Sequence, residues 1–344
     1  MELKSRRHTV ADLASAIELC YTNGWTDGMP VVPPTEERIR AMLDAGGLDP
    51  EHQLAFIENR QISVTAEKVA INAVMAGCKA EYMPVVAAAV EALGDPLYGY
   101  HGPATSTGGS AVFMLVNGPI ARKLDINCGD NLFGPGWRAN ATIGRAIRLV
   151  MRNVIGTLPG ELDRSSLGHA GKYTYCIAEN EAESPWPPFH TTRGFRAGQN
   201  AVTIFAALAP HQYSNQLSAT PEGILTTACA YMKISAGSAR QPQYALVFAG
   251  EHMETMRKAG WTREQVQNYC FEHARSPVAE LKRLHMMAGD VAPEDERTMF
   301  PVVREPGDFL VIAAGGSAGV QSAFIPGWGG KEGSQSVSRE IRIP

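Results

Sequence analysis

The sequence predicts an α/β protein with a mostly parallel sheet flanked by helices, divided into two lobes and preceded by an extended, Pro-rich N-terminal arm. Segments of helical periodicity alternate with apolar runs typical of interior strands. The chain of 344 residues also exceeds the usual size of one hydrophobic core. Three apolar runs end in glycine-containing turns at 117–119, 250–252 and 315–319. Because ligands bind at the carboxyl ends of strands in open α/β sheets, these turns predict one shared crevice.

The first 62 residues are predicted to form a helical and extended arm. Residues 9–23 have the apolar spacing of a short helix, and a second helix is predicted to begin after Thr35 and to end near Ala45. The intervening segment 27–34 is rich in proline, which removes backbone donors and restrains the preceding residue, so it must run extended. We expect this arm to cover a site or a neighbouring subunit.

Residues 63–200 are predicted to form the first α/β lobe and residues 201–344 the second. Thr65 caps one helix, and Pro84 begins the next, an alanine-rich helix without a polar face that must be buried. The predicted helices cover 65–77, 84–93, 138–155, 222–233, 253–259 and 262–274. The predicted strands cover 111–116, 173–178, 201–206, 243–249 and 308–314.

Composition excludes several classes of function. The net charge is −4 and the sequence has no dense Lys/Arg run, so nucleic acid is not an expected partner. No apolar run has membrane-spanning length, and the N-terminus lacks the apolar core of a signal peptide, so a soluble, cytoplasmic protein is predicted. The six cysteines contain no CxxC pair, which predicts free thiols.

The stretch 134–193 carries the most distinctive chemistry. A glycine-punctuated loop, 134–140, leads into a helix, and a helix N-terminus attracts anions. Arg138 and Asn140 are therefore predicted to bind an anionic substrate, with Arg138, Arg145 and Arg152 on one stripe of the helix. The alternative is a surface helix with solvated arginines and Asn140 as a local cap. Walker A and GxGxxG patterns are absent, so no nucleotide cofactor is predicted and the cofactor remains unknown.

Two carboxylates follow the predicted strand 173–178. Alternation along the strand places Glu179 and Glu181 on one face and Cys176 on the other. A carboxylate pair on one face favours general acid/base catalysis. The same pair would also bind a metal ion together with His169 or His190. The alternative is a strand end that enters a charged loop.

Other candidates lie outside this stretch. His101 is a candidate proton carrier, and Thr107 and Gly108 follow it in a loop rich in hydroxyl groups and glycine. Lys79 and a helix N-terminus beside Cys78 would lower the pKa of its thiol, although a buried inert thiol is the alternative. The remaining predicted substrate-binding residues stand at the strand exits or in the aromatic run 186–190: Asn117, Gly316 and His190.

Several sequence blocks resemble a sparsely characterised bacterial family akin to the UGSC-motif (selenocysteine or cysteine) proteins. These blocks cover 27–35, 72–82, 116–120, 138–145, 171–181, 184–186 and 325–329. The resemblance spans most of the chain, but the UGSC or CGSC tetrapeptide itself is absent. It therefore implies kinship, and no catalytic role is carried over from it.

Together these features predict an enzyme that acts on a small anionic metabolite by general acid/base chemistry of the lyase or hydrolase type. Glu179 or Glu181 would be the acid or base, and His101 or His190 its proton partner. Two alternative enzymes are a thiol-dependent one that uses Cys78 and a metal-dependent one. A metal- or ligand-binding protein without turnover, or a subunit whose site a partner completes, represents a different class. The alanine-rich helices and the arm predict a homo-oligomer.

Overall fold

The computed structural model describes residues 2–235, 238–330 and 332–344. Its α-helices are α1 (Leu13–Thr22), α2 (Glu36–Gly46), α3 (Ala66–Ala76), α4 (Met83–Leu93), α5 (His101–Thr105), α6 (Pro119–Lys123), α7 (Arg138–Asn153), α8 (Pro221–Lys233), α9 (Gly250–Lys258), α10 (Arg263–His273) and α11 (Val278–Arg283). Its strands are β1 (Gln53–Ile57), β2 (Ile62–Thr65), β3 (Ala111–Asn117), β4 (Cys176–Ala178), β5 (Ala201–Ala207), β6 (His211–Ser214), β7 (Tyr244–Phe248), β8 (Arg275–Pro277), β9 (Met299–Pro301), β10 (Phe309–Ala313), β11 (Gln321–Pro326) and β12 (Val337–Glu340).

Two four-stranded sheets form the centre of the molecule. The first has the order β12-β5-β3-β4 and the second the order β10-β7-β11-β6. Only β3–β4 and β10–β7 pair in parallel within these sheets, and their other pairs are antiparallel. The α/β class is therefore confirmed, but the predicted mostly parallel sheet is wrong. The reason is that β5 and β11 enter between the other strands in the antiparallel direction.

The two sheets pack face to face, with helices on both outer faces. Alternate residues of β3 show this arrangement, because Met114 and Val116 belong to the core shared with the helices whereas Phe113 and Leu115 belong to the core shared with the second sheet. In β10 the same alternation places Val311 in the core between the second sheet and the helices that cover it. The layers are thus helices, sheet, sheet and helices, and both faces of each sheet are buried.

The outer layers match the helix predictions closely. Helices α4 and α7 cover the first sheet, with α3 packed against α7, and α8, α9 and α10 cover the second. Every α4 residue except Glu91 is buried, as its lack of a polar face predicted. Gly77 ends α3 in a left-handed conformation with a φ of 94°. Helix α1 begins after an Asp12 cap, four residues later than the predicted start at 9.

The predicted lobe boundary falls within the first sheet. Strands β5 and β12 belong to the predicted 201–344 lobe, yet they pair with β3 of the predicted 63–200 lobe. The domain boundaries, the cytoplasmic location and the homo-oligomeric state stay predictions. None of the helices in the described part of the chain combines the length and the apolar character needed to cross a bilayer.

The packing between the sheets yields a stability prediction. Ile312 is 1% exposed and packs between the two sheets. We expect Ile312→Ala to lower the free energy of unfolding by about 2–5 kcal/mol, because the substitution leaves a cavity. Urea unfolding measures the loss, with the fully exposed Leu217→Ala as the matched control, expected to change it by less than about 0.5 kcal/mol. Equal effects of the two variants would contradict the buried sheet interface.

Candidate functional site

The carboxyl ends of strands from both sheets meet at one edge. Asn180, which follows β4, donates its backbone N–H to the carbonyl of Ala313 at the end of β10 at 2.8 Å. Ala314 in turn donates to the carbonyl of Phe248 at the end of β7 at 3.0 Å. The ends of β4, β7 and β10 are therefore connected by backbone hydrogen bonds, and β3 ends beside β4 because the two are parallel neighbours.

The three glycine-containing turns predicted to share a crevice lie along this edge. A Cβ atom placed on Gly250 would stand 2.8 Å from the carbonyl oxygen of Gly316. Gly315 donates to the carbonyl of Cys128 at 2.8 Å, and Asn127 accepts a bond from Ala178 at the end of β4 at 3.1 Å. Residues 127–131 are here called the Cys128 loop. This loop therefore links the turns at 250–252 and 315–319 to the first sheet.

Two carboxyl groups share one amide donor at the end of β3. The Nδ2 group of Asn117 donates to Oε2 of Glu179 at 2.5 Å and to Oε1 of Glu181 at 3.0 Å. Backbone N–H groups complete the pair, since Gly118 donates to Glu181 at 2.7 Å and Phe189 donates to Glu179 at 2.6 Å. Both carboxyl groups reach one amide, although β4 ends at Ala178 and the strand alternation assumed for Glu179 and Glu181 does not extend to them.

The two carboxyl groups have different surroundings. The Glu179 side chain is fully buried, whereas 26% of the Glu181 side chain is exposed. Burial raises the pKa of Glu179 to about 7, although the nearby guanidinium of Arg263 and the N–H donors of Phe189 and Asn117 oppose the rise. Glu179 therefore changes its charge near neutral pH, beside a carboxylate that reaches solvent.

Glycine is required at position 118. Its φ of 91° lies in the left-handed region, and a Cβ atom would stand 2.3 Å from the carbonyl oxygen of Gln199. The N–H of Gly118 is aimed at Glu181 by this conformation. The turn after β3 therefore has a direct role in holding the carboxylate pair.

His190 lies against the same pair. Its Nε2–H donates to the carbonyl of Arg196 at 3.0 Å, and its Nδ1 is 3.9 Å from Oε1 of Glu181. Among the described residues, the buried Nδ1 of His190 and the buried Oδ1 of Asn117 have no hydrogen-bond partner. Buried polar atoms are nearly always paired, so these two atoms mark capacity for a further polar group at the site.

Arg263 was missed by the sequence analysis, which placed it only at the start of the predicted helix 262–274. The residue does begin α10, but its buried guanidinium points to the candidate site. It donates to the carbonyls of Val311 and Pro187 at 3.1 and 2.9 Å and approaches Glu179 at 3.4 Å. No local pattern signals this contact, because 84 residues separate Arg263 from Glu179.

Three predicted site residues lie at the opposite end of β3. His101, Thr107 and Gly108 are exposed and precede the strand, whereas the carboxylate pair follows it. The seven residues of β3 separate the two ends by about 20 Å. His101 is therefore too far away to exchange a proton with Glu179 or Glu181, and that part of the prediction is wrong.

Asn140 and Arg138 lie in the first turn of α7, and each forms hydrogen bonds to the backbone of other segments. The Asn140 amide accepts the backbone N–H of Asn127 at 2.7 Å and donates to the carbonyls of Asn127 and Cys176 at 3.1 and 3.0 Å. Arg138 donates twice to the carbonyl of Gly77, at 3.0 and 2.9 Å, while its side chain stays exposed. Asn140 thus fixes the Cys128 loop, and Arg138 keeps part of its guanidinium accessible.

The predicted arginine stripe fixes the N-terminal segment to α7. Arg145 forms a two-point ion pair with Asp27 at 2.8 Å for each contact and also donates to the carbonyl of Pro30 at 2.9 Å. Arg152 donates to the carbonyl of Gly24 at 3.2 and 3.0 Å. The three arginines do lie on one stripe, but their contacts are with the chain itself.

Cys78 lacks the properties of a reactive thiol. It is 8% exposed, and its Sγ lies 3.3 Å from the carbonyl of Thr142, to which it donates. Burial raises the pKa of the thiol to about 12, against small opposing effects of Thr142, Arg138 and Arg145. The lowered pKa expected from Lys79 and a helix N-terminus is therefore wrong. All six cysteines are free, as predicted.

The predicted metal ligands do not assemble. His169 hydrogen-bonds through Nε2 to the carbonyl of Ala207 at 3.3 Å, and Ala207 pairs with Ala111 at the start of β3. His190, Glu179 and Glu181 lie beyond the other end of that strand. Within residues 2–235, 238–330 and 332–344, no group of three or more His, Cys, Asp or Glu side chains has the geometry of a metal site. The structure thus separates His169 from the carboxylate pair and leaves His190 beside it.

Comparison with known proteins gives no family assignment. No protein-family model matches the chain, and no curated protein matches it. The resemblance to the UGSC-motif proteins stays a prediction based on the sequence blocks.

The raised pKa of Glu179 predicts a specific pH dependence of stability. An unfolded Glu has a pKa of about 4.3, whereas the pKa of Glu179 in the folded protein is about 7. Between these two pH values the native state therefore binds more protons than the unfolded state. Stability therefore falls as the pH rises through this window, by up to about 4 kcal/mol. Glu179→Gln should remove this fall, measured as the free energy of urea unfolding from pH 4.5 to 8. The exposed Glu183→Gln should retain it, and parallel curves for wild type and Glu179→Gln would contradict the assignment.

Proposed function

We propose that this protein is an enzyme that acts on a small anionic metabolite by general acid/base chemistry of the lyase or hydrolase type. The observation that carries the proposal is the carboxyl pair on Asn117, with Glu179 buried and Glu181 partly exposed. Two carboxyl groups in contrasting surroundings are the usual arrangement for acid/base work near neutral pH.

Glu181 is the proposed catalytic base. Its carboxylate reaches solvent, and two donors, Asn117 Nδ2 and the Gly118 N–H, fix its orientation. Glu179 is the proposed positioning residue: when it is protonated, Glu181 carries the only negative charge of the pair. His190 Nδ1 at 3.9 Å is placed to take part in moving the proton that Glu181 removes.

The first turn of α7 supports the proposal of an anionic substrate. Its N–H groups have no helical acceptors, and the helix dipole and the accessible part of Arg138 add positive charge there. Asn140 ties this turn to the Cys128 loop, which in turn binds Ala178 immediately before Glu179. An anionic group held at α7 would thus lie on the same edge of the sheet as the proposed base.

Replacement of the proposed base tests the function. Wild-type protein and Glu181→Gln would be incubated with an extract of anionic metabolites, and mass spectrometry would identify what each depletes. We expect the variant to deplete the substrate about 100-fold to 10,000-fold more slowly, the usual contribution of a general base. Exposed Glu183→Gln is the matched control and should retain the wild-type rate. Equal depletion by wild type and Glu181→Gln would refute the role of Glu181, and no depletion by wild type would favour a binding protein without turnover.

The thiol-dependent alternative has a separate test. We expect Cys78→Ala to retain the wild-type rate of depletion, because the thiol is buried and protonated at neutral pH. The rate would be measured with the substrate that the extract experiment identifies, together with the thermal midpoint of the variant. A loss of more than about 100-fold in a variant with an unchanged midpoint would restore the thiol mechanism.

A further inference from the structure

A cavity of about 690 Å³ lies beneath the N-terminal segment, far from the carboxylate pair. Residues 3–10 form one wall, and α1, α2, α3 and the C-terminal end of α7 form the others. Small-molecule sites commonly have volumes of roughly 300–1,000 Å³. The proposed catalytic edge lies at the first turn of α7, whose sixteen residues span about 24 Å. The two places are therefore separate.

The cavity walls are mainly apolar and come from several elements. Leu19 of α1, Ile39 of α2 and Met75 of α3 line it, together with Trp25 from the connection between α1 and α2. Polar and charged side chains also line the cavity, among them a pair of amides in which Asn153 Nδ2 donates to Oδ1 of Asn72 at 2.7 Å. Apolar walls with a few fixed polar groups are the usual composition of a site for an organic ligand.

The charged residues around the cavity differ in whether a partner compensates their charge. The Glu67 carboxylate accepts the backbone N–H groups of Lys4 and Ser5 at 3.0 and 2.7 Å, so its charge is compensated. Arg7 and Glu36 also line the cavity and pair with each other at 2.9 Å. Arg6 and Lys68 line it as well, and neither forms an ion pair with a carboxylate in the part of the chain that the structure describes. Lys68 donates instead to the Ser5 hydroxyl at 3.0 Å. Two cations at an apolar cavity are complementary to an anionic group on an apolar ligand.

We infer that this cavity binds a small amphipathic molecule, with an aromatic or aliphatic body between α1 and α3 and a carboxylate, sulfonate or phosphate group at Arg6 and Lys68. Residues 3–10 have no helix or strand and are attached to α3 mainly through Glu67 and Lys68. The segment therefore lines one side of the cavity. This site is independent of the proposed catalytic function.

A matched pair of fluorescent probes tests the inference. 1-Anilinonaphthalene-8-sulfonate has an aromatic body and one negative charge, and N-phenyl-1-naphthylamine has the same body without the charge. We expect the charged probe to bind with a stoichiometry of one. Replacement of both cations, Arg6→Ala with Lys68→Ala, should weaken binding of the charged probe about tenfold or more and leave the neutral probe unchanged. Arg297→Ala, which removes an exposed cation elsewhere, should change neither.

Filling the cavity provides the second arm of the experiment. Ala16→Trp places a large ring into the cavity from α1 and should abolish binding of both probes. Ile71→Phe fills it from α3 and serves if the first variant has a lowered thermal midpoint. Unchanged probe binding in a folded, filled variant would overturn the inference, as would equal weakening of both probes by the cation replacements. Glu181→Gln should bind both probes like wild type, so this test and that of the proposed function fail separately.

Discussion

The face-to-face packing of the two sheets is the constraint on which the rest of the structure depends. Because each sheet has helices on one face and the other sheet on its second face, the inner strands β3, β5, β7 and β11 are buried on both sides. Polar chemistry is then confined to the strand ends. The bond from Asn180 to Ala313 aligns the carboxyl ends of β4 and β10, so the polar residues that follow both sheets meet at one edge.

Helix α7 connects this edge to the N-terminal segment. Its first turn fixes the Cys128 loop through Asn140, and its last turn contributes Asn153 to the separate cavity. Between them, Arg145 and Arg152 bind the chain at 24–30. The sequence blocks 27–35 and 138–145, which both contribute to the family resemblance, are thus in direct contact. A stripe of arginine on a helix is in this case a structural attachment, and only Arg138 remains accessible at its end.

The sequence predicted the buried strands and the carboxylate pair because both leave local patterns. Apolar runs located β3, β7 and β10, and the Glu179–Glu181 spacing marked the pair, although β4 ends at Ala178 and the contacts of the loop after it bring the two carboxyl groups together. Strand direction leaves no such pattern, so the antiparallel direction of β5 was missed, and β11 was not among the predicted strands. For the same reason His101, which precedes β3, was grouped with residues that follow it. Arg263 reaches the site from a distant helix, which a single sequence does not reveal.

The contacts of Glu179 separate a structural role from a chemical one. Arg263 donates to two carbonyls and also forms a buried ion pair with Glu179 at 3.4 Å. The donors Asn117 and Phe189 need only an acceptor oxygen, which a glutamine would supply equally well. A buried carboxyl also costs stability at neutral pH, so packing gains nothing from its acidity. Titration near neutral pH is what distinguishes Glu179 from an amide here. Such a group is useful beside a second carboxylate that reaches solvent, and that is the position of Glu181.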